Sequence, residues 1–188
     1  MHKGENVKTI CFCITGAIFE IEKAKESIKE LRKKYNIIPI VSEFTIKLLP
    51  LLAEDLKNLT GNDTLSKIEQ VERICPNGQS EGMVIYPCTG NTLSKIANGI
   101  SDSVVSFLAK SHQRNSKPVL IGLSTNDGLG LNLYNIAKLM NAKDIYFIPF
   151  YQDDYIKKPK SLVCQKKLIA LSLKKALSKE QLQPVLWR

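Results

Sequence analysis

Four short segments of the chain, Thr15-Gly16-Ala17, Ser42 to Thr45, Pro87 to Thr92 and Ser124 to Gly130, are rich in Gly, Ser, Thr and Asn. Glycines and small hydroxyl residues at the start of a helix present backbone N–H and hydroxyl groups to an anion, and phosphate suits them. No lysine follows the first segment in the manner of a P-loop, and only Gly16 stands where a dinucleotide fingerprint needs three glycines. A mononucleotide with one phosphate therefore fits these segments better than ATP or NAD. Taken singly, each segment also reads as a set of helix caps and turn formers. Four of them converging on one sheet edge favour a binding site.

Three polar residues in these segments are candidates for direct catalytic contact: Asn91, Asn126 and Asp127. Asn91 reads equally as a helix N-cap, and Asn126-Asp127 before Gly128 reads equally as a turn. Cys88 is either a redox thiol or, preferably, a small apolar filler. His112, which follows a long helix and sits near Arg114, reads as a surface or cap residue. The five cysteines are odd in number and scattered, and Cys11-x-Cys13 places both thiols on one face of a strand. The only histidines are His2 and His112, so no metal site is expected. This cysteine usage points to a reduced, cytoplasmic chain.

The elements that must position these residues alternate regularly. Apolar, β-branched runs at Val7 to Ile14, Ile37 to Val41, Met83 to Tyr86, Pro118 to Leu123 and Asp144 to Pro149 read as strands. Helical periodicity follows the first strand, with Ile21, Ala24, Ile28, Leu31 and Tyr35 on one face. Further helices are expected over 42–59 with a break at Pro50, over 64–74, as one continuous element carrying Leu93, Ile96, Ile100, Val104 and Leu108, over 129–140 and over 161–178. Strands that are apolar throughout, alternating with helices, make an α/β fold: a doubly wound parallel sheet of flavodoxin-like (Rossmann-like) type in three α/β/α layers. Ligands in such folds bind beyond the carboxyl ends of the strands, where the four segments fall. The 188 residues suit one domain, and 44% hydrophobic content excludes wholesale disorder. No apolar run is long enough to span a bilayer, and the polar residues 1–6 show no signal peptide.

The formal charge of +9 suggests polyanion binding until it is divided along the chain. Residues 157–188 hold nine basic side chains against the single acid Glu180, whereas residues 1–156 hold 18 basic and 17 acidic ones. The chain thus divides into a nearly neutral body, 1–156, and a basic helical extension, 157–188, packed on the body or on a neighbouring subunit. Nucleic acid is a poor partner for a tail whose only aromatic residue is Trp187.

Pro87-Cys88-Thr89-Gly90-Asn91-Thr92, with the helix that follows it to Asp102, resembles the Pro-Ala-Ser-Ala-Asn-Thr segment of the flavodoxin-like FMN-binding cysteine decarboxylase family. The resemblance covers the order of elements over most of residues 7–150. It implies FMN as cofactor, with Pro87, Cys88, Thr89, Gly90, Asn91 and Thr92 against the isoalloxazine ring. It also implies that Thr15, Gly16, Ala17 and Ser42 hold the phosphate and ribityl chain, with Thr45 and Ser124 completing the candidate cofactor contacts. Ala17 offers no hydroxyl, so the phosphate contact there rests on backbone N–H groups.

Within that family the chain is more similar to the flavoprotein B subunits of dipicolinate synthases. Leu123 to Asn132, Ile145 to Asp154 and Lys157 to Val163 carry this likeness. It implies an oxidoreductase subunit that takes part, during sporulation, in oxidising a dihydro- or hydroxytetrahydro-dipicolinate precursor, a small dicarboxylate, to dipicolinate. An A subunit would be the partner through which NAD(P) is used, and a homo-oligomer, trimer or larger, is implied. The flavin either passes hydride or shapes the site. Where the decarboxylases carry a histidine early in the first helix this chain has Phe19-Glu20-Ile21, and where they carry a substrate clamp it has Ser124 to Leu129. A stand-alone FMN-dependent decarboxylase or prenyltransferase, and a non-enzymatic basic binding module, are the alternatives.

Overall fold

A computed structural model describes residues 7–187; His2 and the polar residues 1–6 lie outside the described residues. Strands β1 (Thr9–Ile14), β2 (Asn36–Val41), β3 (Gly82–Cys88), β4 (Val119–Thr125) and β5 (Ile145–Phe147) form a parallel sheet in the order β2-β1-β3-β4-β5. The register pairs Ile10 with Ile37 on one side and with Gly82 on the other, then Met83 with Val119 and Val119 with Ile145. β1 and β3 lie in the interior of the sheet and are buried on both faces, which is why they lack the alternation of a half-exposed strand.

Helices cover both faces. On one, α1 (Ile21–Leu31) and α3 (Leu52–Thr60) pack with Phe12, Val84 and Leu120, joined by α8 (Ile169–Leu177). On the other, α5 (Gly90–Ala97), α6 (Val104–Arg114) and α7 (Asn132–Met140) cover Cys11, Met83 and Ile121. The three-layer flavodoxin-like architecture is as the strand and helix pattern predicts. No helix among the described residues is long and apolar enough to cross a membrane.

α2 (Glu43–Leu48) and α3 are separate helices with Pro50 between them, as expected. The chain departs from the expected elements in three places. Of residues 64–74 only Ile68–Val71 (α4) is helical. The expected continuous helix over Leu93–Leu108 is instead α5 and α6, interrupted where Gly99 takes φ +71°. That left-handed conformation suits a glycine and ends a helix. Most consequential is the expected helix at 161–178. Leu162–Cys164 is a strand, β7, antiparallel to the end of β4 and to β6 (Phe150–Tyr151), and only Ile169–Leu177 is α-helical. Residues beyond 157 are thus built into the sheet, and Lys179 donates to the nearly buried Asp144 carboxylate at 2.6 Å.

His112 is fully buried at the amino edge of the sheet rather than on the surface. Its Nε2 lies 3.0 Å from Ser80 Oγ, and its Nδ1 is 3.0 Å from the Leu108 carbonyl and 3.2 Å from Cys75 Sγ. Burial, with the Lys117 charge adding to it, pushes the imidazole down to about 4, against the opposite pull of the Leu108 and Gly82 carbonyls. An unfolded histidine titrates near 6.5, so between these values the unfolded chain binds the extra proton and stability falls as the pH drops. Urea unfolding at pH 7 and pH 5 should show His112→Gln losing less stability over that interval than the native chain, by on the order of 2 kcal/mol. Equal losses would contradict the neutral buried imidazole.

Candidate functional site

The carboxyl ends of β1 and β3 are fastened by one side chain. Thr15, 1% exposed, donates its hydroxyl to the Pro87 carbonyl at 2.7 Å and accepts the Thr89 N–H at 3.0 Å. The Thr15 N–H also donates to the Pro87 carbonyl, and the Tyr86–Pro87 peptide is cis. This clamp sets Gly16 beside Thr89, and both residues border two adjoining clefts.

The first cleft, of about 400 Å³, lies between the ends of β1, β2 and β3. Thr15, Gly16, Ser42, Thr89, Asn91 and Thr92 line it. Phe44 and the ion pair of Lys95 with Asp102 (2.8 Å) border it as well. The second, of about 450 Å³, runs from Gly16 through Glu20 to Gly90 and the end of β4 at Ser124, Thr125 and Asn126. Its remaining border comes from beyond β5: Asp153, Lys158, Ser161 and Val163. Both volumes suit small-molecule sites.

Local structure explains why donors gather here. Thr89 caps α5, accepting the Thr92 N–H at 3.5 Å, and Ser42 caps α2, accepting the Thr45 N–H at 3.3 Å. Gly90 and Asn91 open α5, where N–H groups have no intrahelical acceptor, and the Gly16 N–H likewise finds no acceptor among the described residues. Gly90 is required by contact rather than by dihedral: a Cβ would stand 2.5 Å from Asn132 Nδ2 and 2.8 Å from Thr125 Oγ1. Free backbone donors, hydroxyls and small side chains are what a phosphorylated, polar mononucleotide requires, so the chemistry of the donor set fits FMN.

The expected site residues divide accordingly. Thr15, Gly16, Ser42, Thr89, Asn91 and Thr92 meet in the first cleft, and Ala17, Gly90, Ser124 and Asn126 in the second. Asn91 is an exposed first-turn residue, not the cap. Thr45, Pro87, Cys88 and Asp127 border neither cleft. Thr45 is fully buried with its hydroxyl 2.7 Å from that of Ser42, and Pro87 serves through its carbonyl. Cys88 is buried, and desolvation pushes its thiol up to about 12, so it stays protonated as a core filler. Asp127 shapes its own turn, taking the Asn132 amide at 3.4 Å while its N–H donates to Thr125 Oγ1.

Residues that sequence reasoning did not place at the site are Phe19, Glu20, Phe44, Lys158 and Ser161. Phe19 is 98% exposed beside the second cleft, a bare aromatic surface at the rim. Glu20 accepts a hydrogen bond from Tyr86 (2.8 Å) and pairs with Lys23 (2.6 Å). The position of Phe19-Glu20, one residue beyond the first glycine segment, was an available signal. Lys158 and Ser161 lie in the Lys157 to Val163 segment that carries the family likeness, but nothing placed it at the cleft, because β7 is only three residues long and its neighbours read as helix.

Residues 2–171 match the model of the Flavoprotein family. The B subunit of dipicolinate synthase from Bacillus subtilis (strain 168) is 39% identical over 186 residues, covering 95% of this chain and 93% of that protein. The crystal structure of the corresponding B subunit from Bacillus halodurans C superposes with a TM-score of 0.89 at 35% identity, over 96% of each chain. The FMN-dependent cysteine decarboxylase SpaF shares the fold, with a TM-score of 0.68 at 19% identity over 91% of this chain and 97% of that one.

The clamp has a measurable worth. Thr15→Val keeps the shape but leaves the Thr89 N–H without its hydroxyl acceptor, and should lower stability by about 1–3 kcal/mol in urea unfolding. A loss below about 0.5 kcal/mol would show that β1 and β3 do not rely on it.

Proposed function

The chain belongs to the Flavoprotein family, alongside the B subunit of dipicolinate synthase, and from that premise we propose that it is the FMN-binding B subunit of such an enzyme. The observation that carries this reading is the pair of clefts joined at Gly16 and Thr89, lined by free backbone donors, in a chain that aligns with that subunit over nearly its whole length. The stand-alone decarboxylase reading has weaker support, since SpaF shares only 19% identity and Glu20, tied to Tyr86 and Lys23, stands in the segment where decarboxylases carry a histidine.

In the proposed arrangement the first cleft takes the phosphate and ribityl chain of FMN, with the Gly16 N–H and the Ser42 hydroxyl as donors. The α5 start, Thr89 to Asn91, lies against the ring. When bound, FMN supplies a group able to carry two electrons. The chain's own residues bind and orient: Asn91 from one cleft and Asn126 from the other offer amides to the ring or the substrate, and of the two acids bordering the first cleft Asp102 is paired with Lys95 and Glu43 is exposed. Oxidation of the dihydro precursor to aromatic dipicolinate removes a hydride and a proton. We assign the hydride to NAD(P) held by an A subunit, because this chain lacks the dinucleotide fingerprint. Phe19 and Phe44, 98% and 63% exposed beside the clefts, support further subunit contact over the site in a homo-oligomer.

Gly16→Val tests the joint between the clefts. Its Cβ meets only the exposed Phe44 ring, at 3.1 Å, so the fold should survive while the added methyls occupy the joint. Flavin-fluorescence titration should show FMN affinity reduced by about tenfold or more, with an unchanged circular dichroism spectrum. Native affinity would remove Gly16 from the site. A mixture of the chain with FMN, an A subunit, the precursor and NAD(P) should accumulate dipicolinate by ultraviolet absorbance. An A subunit that works equally well alone would contradict the assignment.

A further inference from the structure

The second cleft has a wall that the first lacks, contributed by the basic C-terminal segment. β7 runs antiparallel to the last residues of β4, pairing Val163 with Ser124 and Leu162 with Thr125. That pairing brings Ser161 and Lys158 to the same cleft as Asn126 and Glu20.

The loop that carries Lys158 is held in place before any ligand arrives. Gln152 donates to the Pro159 carbonyl at 2.9 Å, the Lys157 N–H donates to Asp154 Oδ1 at 2.9 Å, and the Lys158 and Ser161 N–H groups bond to Asp154 and Lys158 carbonyls at 2.8 and 2.9 Å. The Leu129 N–H bonds to the Lys160 carbonyl at 2.9 Å, tying this loop to the β4–α7 connection. Gly128 is pressed against Leu162, where a Cβ would stand 2.6 Å from that side chain.

Two polar groups on this wall have no partner. Ser161 borders the cleft, and its hydroxyl makes no hydrogen bond among the described residues, although the fully enclosed hydroxyls without a partner are those of Ser111 and Ser172. Lys158 makes no ion pair among the described residues, although Asp153 borders the same cleft. Glu20 is already engaged by Lys23 and Tyr86. A hydroxyl at the cleft wall with no protein partner is free to bond a ligand there. The exposed Lys158 side chain, bordering the same cleft, can supply the charge for an anionic group.

We propose that Lys158 and Ser161 form the carboxylate subsite of the second cleft, holding one carboxylate of a small cyclic dicarboxylate while Asn126 and Glu20 face the remainder of the ring. The segment after residue 157 is then a specificity element of the site, and part of its positive charge serves the substrate. This inference rests on the proposed function. It adds two substrate-binding residues and a place for one carboxylate to it.

The test uses the FMN-loaded full chain and dipicolinate itself as probe, with binding read by calorimetry and flavin content read by absorbance. Lys158→Ala should weaken dipicolinate binding by about tenfold or more, and Ser161→Ala by about threefold. Lys158→Arg should stay near native affinity, Lys157→Ala, whose residue does not border the cleft, should not change it, and FMN content should be equal throughout. If Lys158→Ala and Ser161→Ala both bind dipicolinate as the native chain does, the subsite is wrong and the flavin reading stands. If the native chain holds FMN but binds no dipicolinate, the subsite is likewise overturned. If the native chain takes up no FMN, the proposed function fails and the subsite falls with it.

Discussion

The clefts depend on a short bridge between two strand ends. In a parallel sheet the carboxyl ends of the strands release loops that must diverge toward helices on opposite faces, leaving a crevice. Here the divergence is limited by Thr15, whose buried hydroxyl serves the Pro87 carbonyl and the Thr89 N–H together. Without it the Thr89 N–H would lose its acceptor and the Pro87 carbonyl would keep only the longer bond from the Thr15 N–H, so the strand ends are held together by the cost of separating them. Because Gly16 follows Thr15 and Thr89 receives its bond, the two residues common to both clefts are positioned by one interaction. Thr15 therefore contributes as framework as well as lining.

The other half of the site is closed from the far end of the chain. The basic excess of residues 157–188 divides among distinct tasks once the fold is known. Lys166 pairs with Glu26 on α1 at 2.9 Å, Lys175 with Glu180 at 2.5 Å, and Lys179 with Asp144 at 2.6 Å. The first two are exposed and contribute little, whereas the third meets a nearly buried carboxylate and fastens the tail to the start of β5. Lys158 is in none of these pairs and stands at the cleft. Of the nine basic residues in this segment three are paired within the fold, only Lys179 with a nearly buried partner, and Lys158 borders the cleft.

Much of this was legible from the residues. Long apolar runs such as Met83–Tyr86 and the three- and four-residue steps of Ile21, Ala24 and Ile28 specify buried strands and amphipathic helices on their own, and the parallel order follows from their alternation. The glycine- and threonine-rich segments then had to fall at the carboxyl edge. What was not legible depended on tertiary contact. Leu162–Cys164 is too short to show a strand period and owes its conformation to the exposed end of β4. Gly99 interrupts a helical period that continues in phase on both sides, so periodicity passed over the break. Thr45, Cys88 and Asp127 have the right types for a site but spend their polar groups, or their volume, on the framework beneath it. His112 has a polar side chain whose partners, Ser80 and Cys75, come from a loop more than thirty residues away.

One bipartite cleft, hinged at Gly16 and Thr89, is proposed to hold the flavin in its first part and a dicarboxylate against the C-terminal segment in its second. The most direct measurement is a crystal structure of the chain grown with FMN and dipicolinate together. The FMN phosphate is expected beside Gly16 and Ser42, with a dipicolinate carboxylate within hydrogen-bond distance of Lys158 and Ser161. Density for FMN away from the Gly16–Thr89 joint, or for dipicolinate away from the β7 wall, would contradict this arrangement.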